Sequence, residues 1–247
     1  MRICLLTAFV IFLNSHTVFA QWSNNYIELS PNITTKDHLI SNFKKLDVGE
    51  DFEVFVKFGN VESIKIEANE NLHDLIIVEK KGNTLKIDTQ PYSTWAKGKR
   101  QRTNERLVAY ITAKELVSIE GEEDVVIELD NRLETASLDI RLDEDATLSG
   151  AIKVKNLMVD LNEDSTLDLE GSAQKMELMA NEDSMFKSYD FEVQDLIVEL
   201  NEDSQAKITV NGTIDLEARG DSNFYYKGNA KIVRQRLRGD SQVKSWN

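Results

Sequence analysis

The sequence predicts an all-β protein built as a single right-handed parallel β-helix (a β-solenoid) with ~19-residue rungs. Three observations predict it. An aspartate in a short polar turn recurs at Asp124, Asp145, Asp164, Asp183, Asp203, Asp221 and Asp240, spaced 21, 19, 19, 20, 18 and 19 residues apart. Apolar residues alternate with polar ones at fixed distances from each aspartate. The same register and the same turn then return in the same order every time.

The alternation is quantitative. Positions seven, five and three before each anchor, and three and five after it, are apolar in 30 of 35 cases. The chain's 41% hydrophobic content predicts about 14. The exceptions are Gly121, Gly150, Ser188, Gln235 and Ser245. At the positions between, six and four before the anchor, only Met158, Met179 and Ile197 are apolar out of fourteen. A period of two marks strands with one buried face. Hairpins would mirror the pattern from one strand to the next, whereas parallel coils repeat it. Roughly nineteen residues at ~3.3 Å each close one coil with two or three sides. The right hand follows from the strong preference of parallel crossovers.

The elements follow in chain order. Residues 1–20 read as a signal peptide, with Arg2, the apolar run Ile3–Leu13 and a cleavage-like Val18-Phe19-Ala20. The run is short for an uncleaved membrane anchor, which needs roughly 20 residues. Residues 21–42 are polar with a few apolar anchors (Ile27, Leu29, Leu39, Ile40) and read as an N-terminal cap, because an open coil end must be covered. Residues 43–115 carry less regular strands, among them 52–56, 64–66, 75–78, 85–87 and 107–111, with Gly82-Asn83 as a turn. Regular rungs run from about 117 to 247.

Composition excludes several function classes. The single cysteine, Cys4, lies in the leader, so disulfides, iron–sulfur clusters and cysteine zinc sites are ruled out downstream. With 29 basic and 43 acidic residues the net charge is −14. That balance disfavours nucleic acid and anionic lipid as partners. Nothing after Leu13 reads as a transmembrane segment.

The rung turns read Asp-Glu-Asp-Ala at 143–146, Asn-Glu-Asp-Ser at 162–165, 181–184 and 201–204, and Arg-Gly-Asp-Ser at 219–222 and 238–241. Stacking would bring Asp145, Asp164, Asp183 and Asp203 into one acidic column. Bare charges ~4.8 Å apart in water repel by about 0.9 kcal/mol, so no cation is required. A Ca²⁺ role is a minor alternative, and no other cofactor is expected. The simpler reading has each Asp bonding the N–H groups of its own turn. Turn chemistry likewise accounts for the two Arg-Gly-Asp triplets, with Arg219 and Arg238 poised to neutralise the acidic column. A second candidate is the basic loop of Lys97, Lys99, Arg100 and Arg102, flanked by Tyr92 and Trp95, which suits an anionic glycan or the acidic face of another copy, the simpler reading being a solvated loop between two strands.

Catalysis finds little support. Beyond the leader there are two histidines, His38 and His73, and no nucleophile elbow, P-loop or zinc-protease motif. Aspartates that recur in every rung are what a structural turn produces. A catalytic cluster would break the repeat.

Phe43-Lys44-Lys45-Leu46-Asp47-Val48, Asp51-Phe52-Glu53-Val54-Phe55-Val56-Lys57, Ile64–Leu72 and Gly82–Ile87, followed by the rungs, resemble one known family. It is the putative autotransporter adhesin, head GIN domain family, and the resemblance covers about residues 43–247. The family places Ser-Gly or Gly-Ser pairs at the turns where this chain has Asn-Glu-Asp-Ser. The resemblance implies an exported bacterial β-helix with an adhesin-like role and no catalytic residues. The expected function is therefore a non-enzymatic binding module at the cell envelope (periplasm, outer-membrane surface or outside), with a glycan or envelope protein as partner. The alternatives are a polysaccharide-active enzyme on the same scaffold, or a structural protein that stacks end to end. Trp246 and the polar tail, read as a modest C-terminal cap, weigh against stacking.

Overall fold

Side chains that alternate along an extended chain place their apolar members on one face, and a coiled chain turns that face inward. The computed structural model of the protein, which describes residues 28–90 and 105–246, has this arrangement: a parallel β-solenoid of about seven turns. Its strands are β1 (Ile33–His38), β2 (Lys45–Val48), β3 (Glu53–Phe58), β4 (Ser63–Asn69), β5 (Ile76–Lys81), β6 (Thr84–Thr89), β7 (Leu107–Ala113), β8 (Ser118–Gly121) and β9 (Val126–Leu142). They continue with β10 (Thr147–Leu161), β11 (Thr166–Ala180), β12 (Met185–Leu200), β13 (Gln205–Ala218), β14 (Asn223–Lys227), β15 (Lys231–Leu237) and β16 (Gln242–Ser245).

From β9 onward each long strand wraps most of a coil, and consecutive strands pair in parallel with the expected register. Leu148 lies on Leu167, Leu157 on Met176 and Leu178 on Val198. The alternation of burial slips near the middle of each strand, for example between Ala173 and Met176, where the chain rounds a corner. Inside runs one continuous apolar core from Phe43 to Phe224.

Upstream, stacking order departs from chain order. The coil made by β2 and β3 is sandwiched between later segments. β2 pairs with β6 on one side and β8 on the other, while β3 pairs with β7 and β9. Outside this layer the direction reverses. β4 lies antiparallel on β7, β1 antiparallel on β4, and β5 antiparallel on β6.

The five breaks in the sequence pattern each have a physical reason. A side chain at Gly121 would meet Leu142 at 3.3 Å and Ile127 at 3.4 Å, and one at Gly150 would strike Leu129 at 2.5 Å. Ser188 is buried, and its Oγ accepts a bond from the Asp190 N–H at 3.2 Å, which holds a bulge where β12 slips register against β13. Gln235 and Ser245 sit in the last coil, where inward positions are exposed. Trp246 does not cover that coil: the residue is 60% exposed and its backbone N–H donates to the Tyr226 carbonyl, extending the ladder instead.

Candidate binding surfaces

Each turn that closes a coil places two residues at its tip. In the four turns centred on 123–124, 144–145, 163–164 and 182–183 both tip residues have positive φ, the pattern of a type I′ turn. A fifth turn of the same kind, absent from the sequence period, is Glu50-Asp51, with φ 45° and 56°. The central peptides of these turns bond to one another. The Asp51 N–H donates to Glu123 O, Asp124 to Glu144, Asp145 to Glu163 and Asp164 to Glu182, each at 2.9 Å.

The column then changes turn type. At Glu202, Gly220 and Gly239 only the first tip residue has positive φ (61°, 71° and 72°), which is the type II′ pattern. Flipping the central peptide removes the bond that Asp183 would make, and none to Glu202 is found among the described residues. Glycine is needed here for a second reason as well. A Cβ at Gly239 would lie 2.7 Å from the Gly220 carbonyl oxygen. The Arg-Gly-Asp triplets are therefore products of turn geometry.

Asp145, Asp164, Asp183 and Asp203 do stack, but their role differs from the expected one. Their carboxylates are exposed and make no hydrogen bond or ion pair among the described residues, so they do not bond the N–H groups of their own turns. The expected neutralisation by arginine also fails. Arg219 turns to Glu199 (3.2 Å) and Glu217 (2.7 Å) on the neighbouring strands. Among the described residues no group of three or more His, Cys, Asp or Glu is placed to hold a metal ion. Lys97, Lys99, Arg100 and Arg102 lie outside the described residues, as do residues 1–27.

The bonding column of the turn is the asparagine beside it. Asn181 Nδ2 donates to Asn162 Oδ1 and Asn201 Nδ2 to Asn181 Oδ1, both at 2.8 Å. Such amide ladders tie stacked strands together. Asn181→Leu is expected to cost about 1–2 kcal/mol, because it strips partners from two half-buried amides. A loss in chemical denaturation indistinguishable from zero would show that water replaces the ladder.

Like charges crowd where the irregular coils meet the regular ones. Loss of hydration against neighbouring coils, followed by repulsion from Glu50 and Glu144, pushes the Glu123 carboxyl above its ordinary range. Burial and then Asp47 and Asp143 do the same for Glu122. Burial, opposed by Lys86 but reinforced by Glu120 and Asp88, raises Asp47. Glu115 and Glu217 are instead held low, chiefly by hydrogen bonds from Lys44 and Arg219. For the raised group the folded state binds protons more tightly, so its contribution grows as pH falls through the raised pKa. For the lowered group stability is lost as pH falls further. Melting temperature is thus expected to rise on going from pH 7 into the range just above ordinary carboxylate values, then drop in stronger acid. Glu123→Gln should flatten the rise, and added salt at pH 7 should mimic it. A monotonic fall from pH 7 downward would refute this.

Three further surfaces belong to the coil sides. A shallow open trough crosses four coils and is lined by Glu134, Lys153, Lys155, Ser172, Gln174 and Gln194. On the side before the turn, Met158, Met179 and Ile197 form a small exposed apolar patch, 53%, 44% and 51% exposed. The side after the turn carries a surface that the linear sequence hides: Lys187, Lys207 and Lys244 fall in one column, with Tyr225 between the last two. These residues are 18 to 20 apart in the chain, so no basic run announces them. Only the register of the rungs could have found them.

Comparison with known proteins adds the family. The family model for the putative auto-transporter adhesin, head GIN domain, matches residues 42–230. No curated protein matches the chain. Among solved structures, a putative adhesin from Bacteroides fragilis NCTC 9343 superposes with a TM-score of 0.80 at 20% identity, over 88% of this chain and 99% of that one. A putative adhesin from Parabacteroides merdae ATCC 43184 gives 0.68 at 15% identity, over 90% and 100%. A putative lipid binding protein from Parabacteroides distasonis ATCC 8503 gives the same figures: 0.68, 15% identity, and 90% and 100% coverage. At these identities the structures share the fold. With a match reaching across most of the chain, the family is settled: this protein belongs to the putative auto-transporter adhesin, head GIN domain family.

Proposed function

We propose that this protein is an exported, non-catalytic binding module of the adhesin type at the bacterial cell envelope, its ligand an extended glycan or envelope protein. One observation carries the reading. Outward side chains in equivalent register form continuous columns and a trough crossing four coils, and the carboxylates recur at every turn instead of converging in one cleft. Surfaces of this kind match a ligand that runs along the stack. A glycoside hydrolase of the usual kind needs two carboxylates brought to one bond. Family membership and the adhesin descriptions of the similar structures point the same way. The leader-like first twenty residues support export, and no helix among the described residues is long and apolar enough to cross a membrane.

The test is a glycan array probed with labelled protein, run beside a polysaccharide panel assayed for new reducing ends. Retention on glycans or on outer-envelope preparations without turnover is expected. Turnover without retention would replace this reading with an enzymatic one.

A further inference from the structure

The side of the coil after the turn concentrates cations and aromatic rings in two adjacent columns. The first is Lys187, Lys207, Tyr225 and Lys244, paired in that order across β12, β13, β14 and β16. Beside it stand Tyr189, then Lys227, whose ammonium lies 4.3 Å from the Tyr189 ring centre. Lys244 sits 5.7 Å from the Tyr225 ring centre. Trp246, one residue past the Tyr226–Ser245 pair, ends the second column and is 60% exposed.

The pairing of charges singles out this array. On the side before the turn, Arg219, Arg234 and Arg236 are all tied to carboxylates of the same side. None of the four lysines Lys187, Lys207, Lys227 and Lys244 forms an ion pair among the described residues. In a protein of net charge −14, four unneutralised ammonium groups on one flat surface are a local reversal of sign. Below Lys187 the array ends, for the residue that follows the Leu167–Phe186 pair in β11 is the acidic Asp168.

We propose that this lysine–tyrosine array binds an anionic polysaccharide laid along the stacking axis. Successive coils advance by about 4.8 Å, so the first column presents its groups along ~14 Å at even intervals. A pyranose chain bearing one carboxylate or sulfate per ring repeats on a similar step, so anions can meet Lys187, Lys207 and Lys244 at three of the four steps while Tyr225 faces the ring between. The half-buried faces of Tyr189 and Tyr225 and the exposed ring of Trp246 offer flat apolar platforms for the sugar faces. An extended acidic peptide fits less well, since its same-side residues repeat at about 6.6 Å. Tyr189 and Tyr225 are half-buried, not fully projecting as membrane anchors would be, which disfavours a lipid surface. The proposal rests on the binding-module reading above and names the chemistry of its ligand.

The experiment measures binding of dextran sulfate and polygalacturonate to the full protein by titration calorimetry, with neutral dextran as control. Three proteins are compared: wild type, K187E/K207E/K244E, and the charge-matched K45E/R132E/K175E, each checked for an unchanged β spectrum and melting temperature. Wild type is expected to bind at least one polyanion, more weakly as salt rises. The first variant is expected to bind about a hundredfold more weakly, and the charge-matched variant to stay within a few-fold of wild type. Y189A/Y225A, which keeps every charge, is expected to lose about tenfold. Equal weakening in both triple variants would reduce the effect to net charge and overturn the proposal. So would binding to phosphatidylglycerol vesicles with none to the soluble polyanions. Retention on neutral glycans, unaffected by K187E/K207E/K244E, would sink this site and leave the binding-module reading standing. No retention on any glycan or envelope preparation would sink both.

Discussion

Gly171→Ala is expected to be among the most damaging single-atom additions to this protein, costing about 3–5 kcal/mol. Gly171 rounds the corner of β11 at φ +112°, a region that side chains rarely occupy, and that alone costs about 1–3 kcal/mol. A Cβ there would lie 2.0 Å from the Ile152 carbonyl oxygen of the coil below. Backbone cannot swing aside as a side chain does. Relief must come from moving β10 and β11 apart, which stretches a ladder shared with β12 on the other side. Gly82→Ala is the control: Gly82 also has positive φ (+61°), but no atom lies within 4 Å of its would-be Cβ, so about 1 kcal/mol is expected. Urea denaturation of the two variants checks the difference. Equal losses would mean that the corner is far looser than its stacking implies.

Phe186→Ala is expected to cost about 3–5 kcal/mol, the usual range for emptying a fully buried aromatic site. Phe186 is 0% exposed and meets Phe191 edge to face, with ring centres 6.1 Å apart and planes at 65°. Phe191 points inward only because the Ser188 bulge adds a residue to this coil. The pair thus fills the extra width of a twenty-residue rung, and neighbours fixed in their own ladders cannot collapse into the void. Phe186→Leu should recover more than half of the loss, and Met179→Ala, on the exposed patch, should change stability little. Thermal melts of the three variants decide it. A loss from Phe186→Ala below about 1 kcal/mol would show that the rung can close on itself.

How much of this was readable in the sequence depended on whether a feature repeats along the chain. The anchor spacings of 19, 19, 20, 18 and 19 residues reappear as the offsets that pair Thr147, Thr166, Met185, Gln205, Asn223 and Gln242. Even the exceptions carried meaning: Gly150 marked a close approach and Ser188 a bulge. The Glu50-Asp51 turn escaped because its neighbours in the stack lie about seventy residues later, beyond the reach of any period. The aspartates were located correctly and given the wrong task. At Asp124, Asp145, Asp164 and Asp183 what the turn asks for is tolerance of a left-handed backbone, which Asp shares with Asn and Gly, and not a bond to the carboxylate; Asp203, Asp221 and Asp240 follow the left-handed residue and lack that reason. The lysine–tyrosine array was missed where the loop at 97–102 was singled out: that loop is dense in the chain, whereas the array is dense only in space.

The interleaved layer of β2 and β3 bears on how the protein is made. A ribosome delivers residues 45–58 well before either of the strands that flank them, and the second flank is not complete until Leu129 has emerged. During that interval both borders of the layer are unpaired and open to adventitious strands. Vectorial assembly, one rung upon the last, is available to β10 and everything after it, but not to the amino-terminal third. A chain cut after Ala113 should therefore be a poor nucleus, and in pulse-labelled hydrogen exchange β10–β13 should gain protection before β2 does.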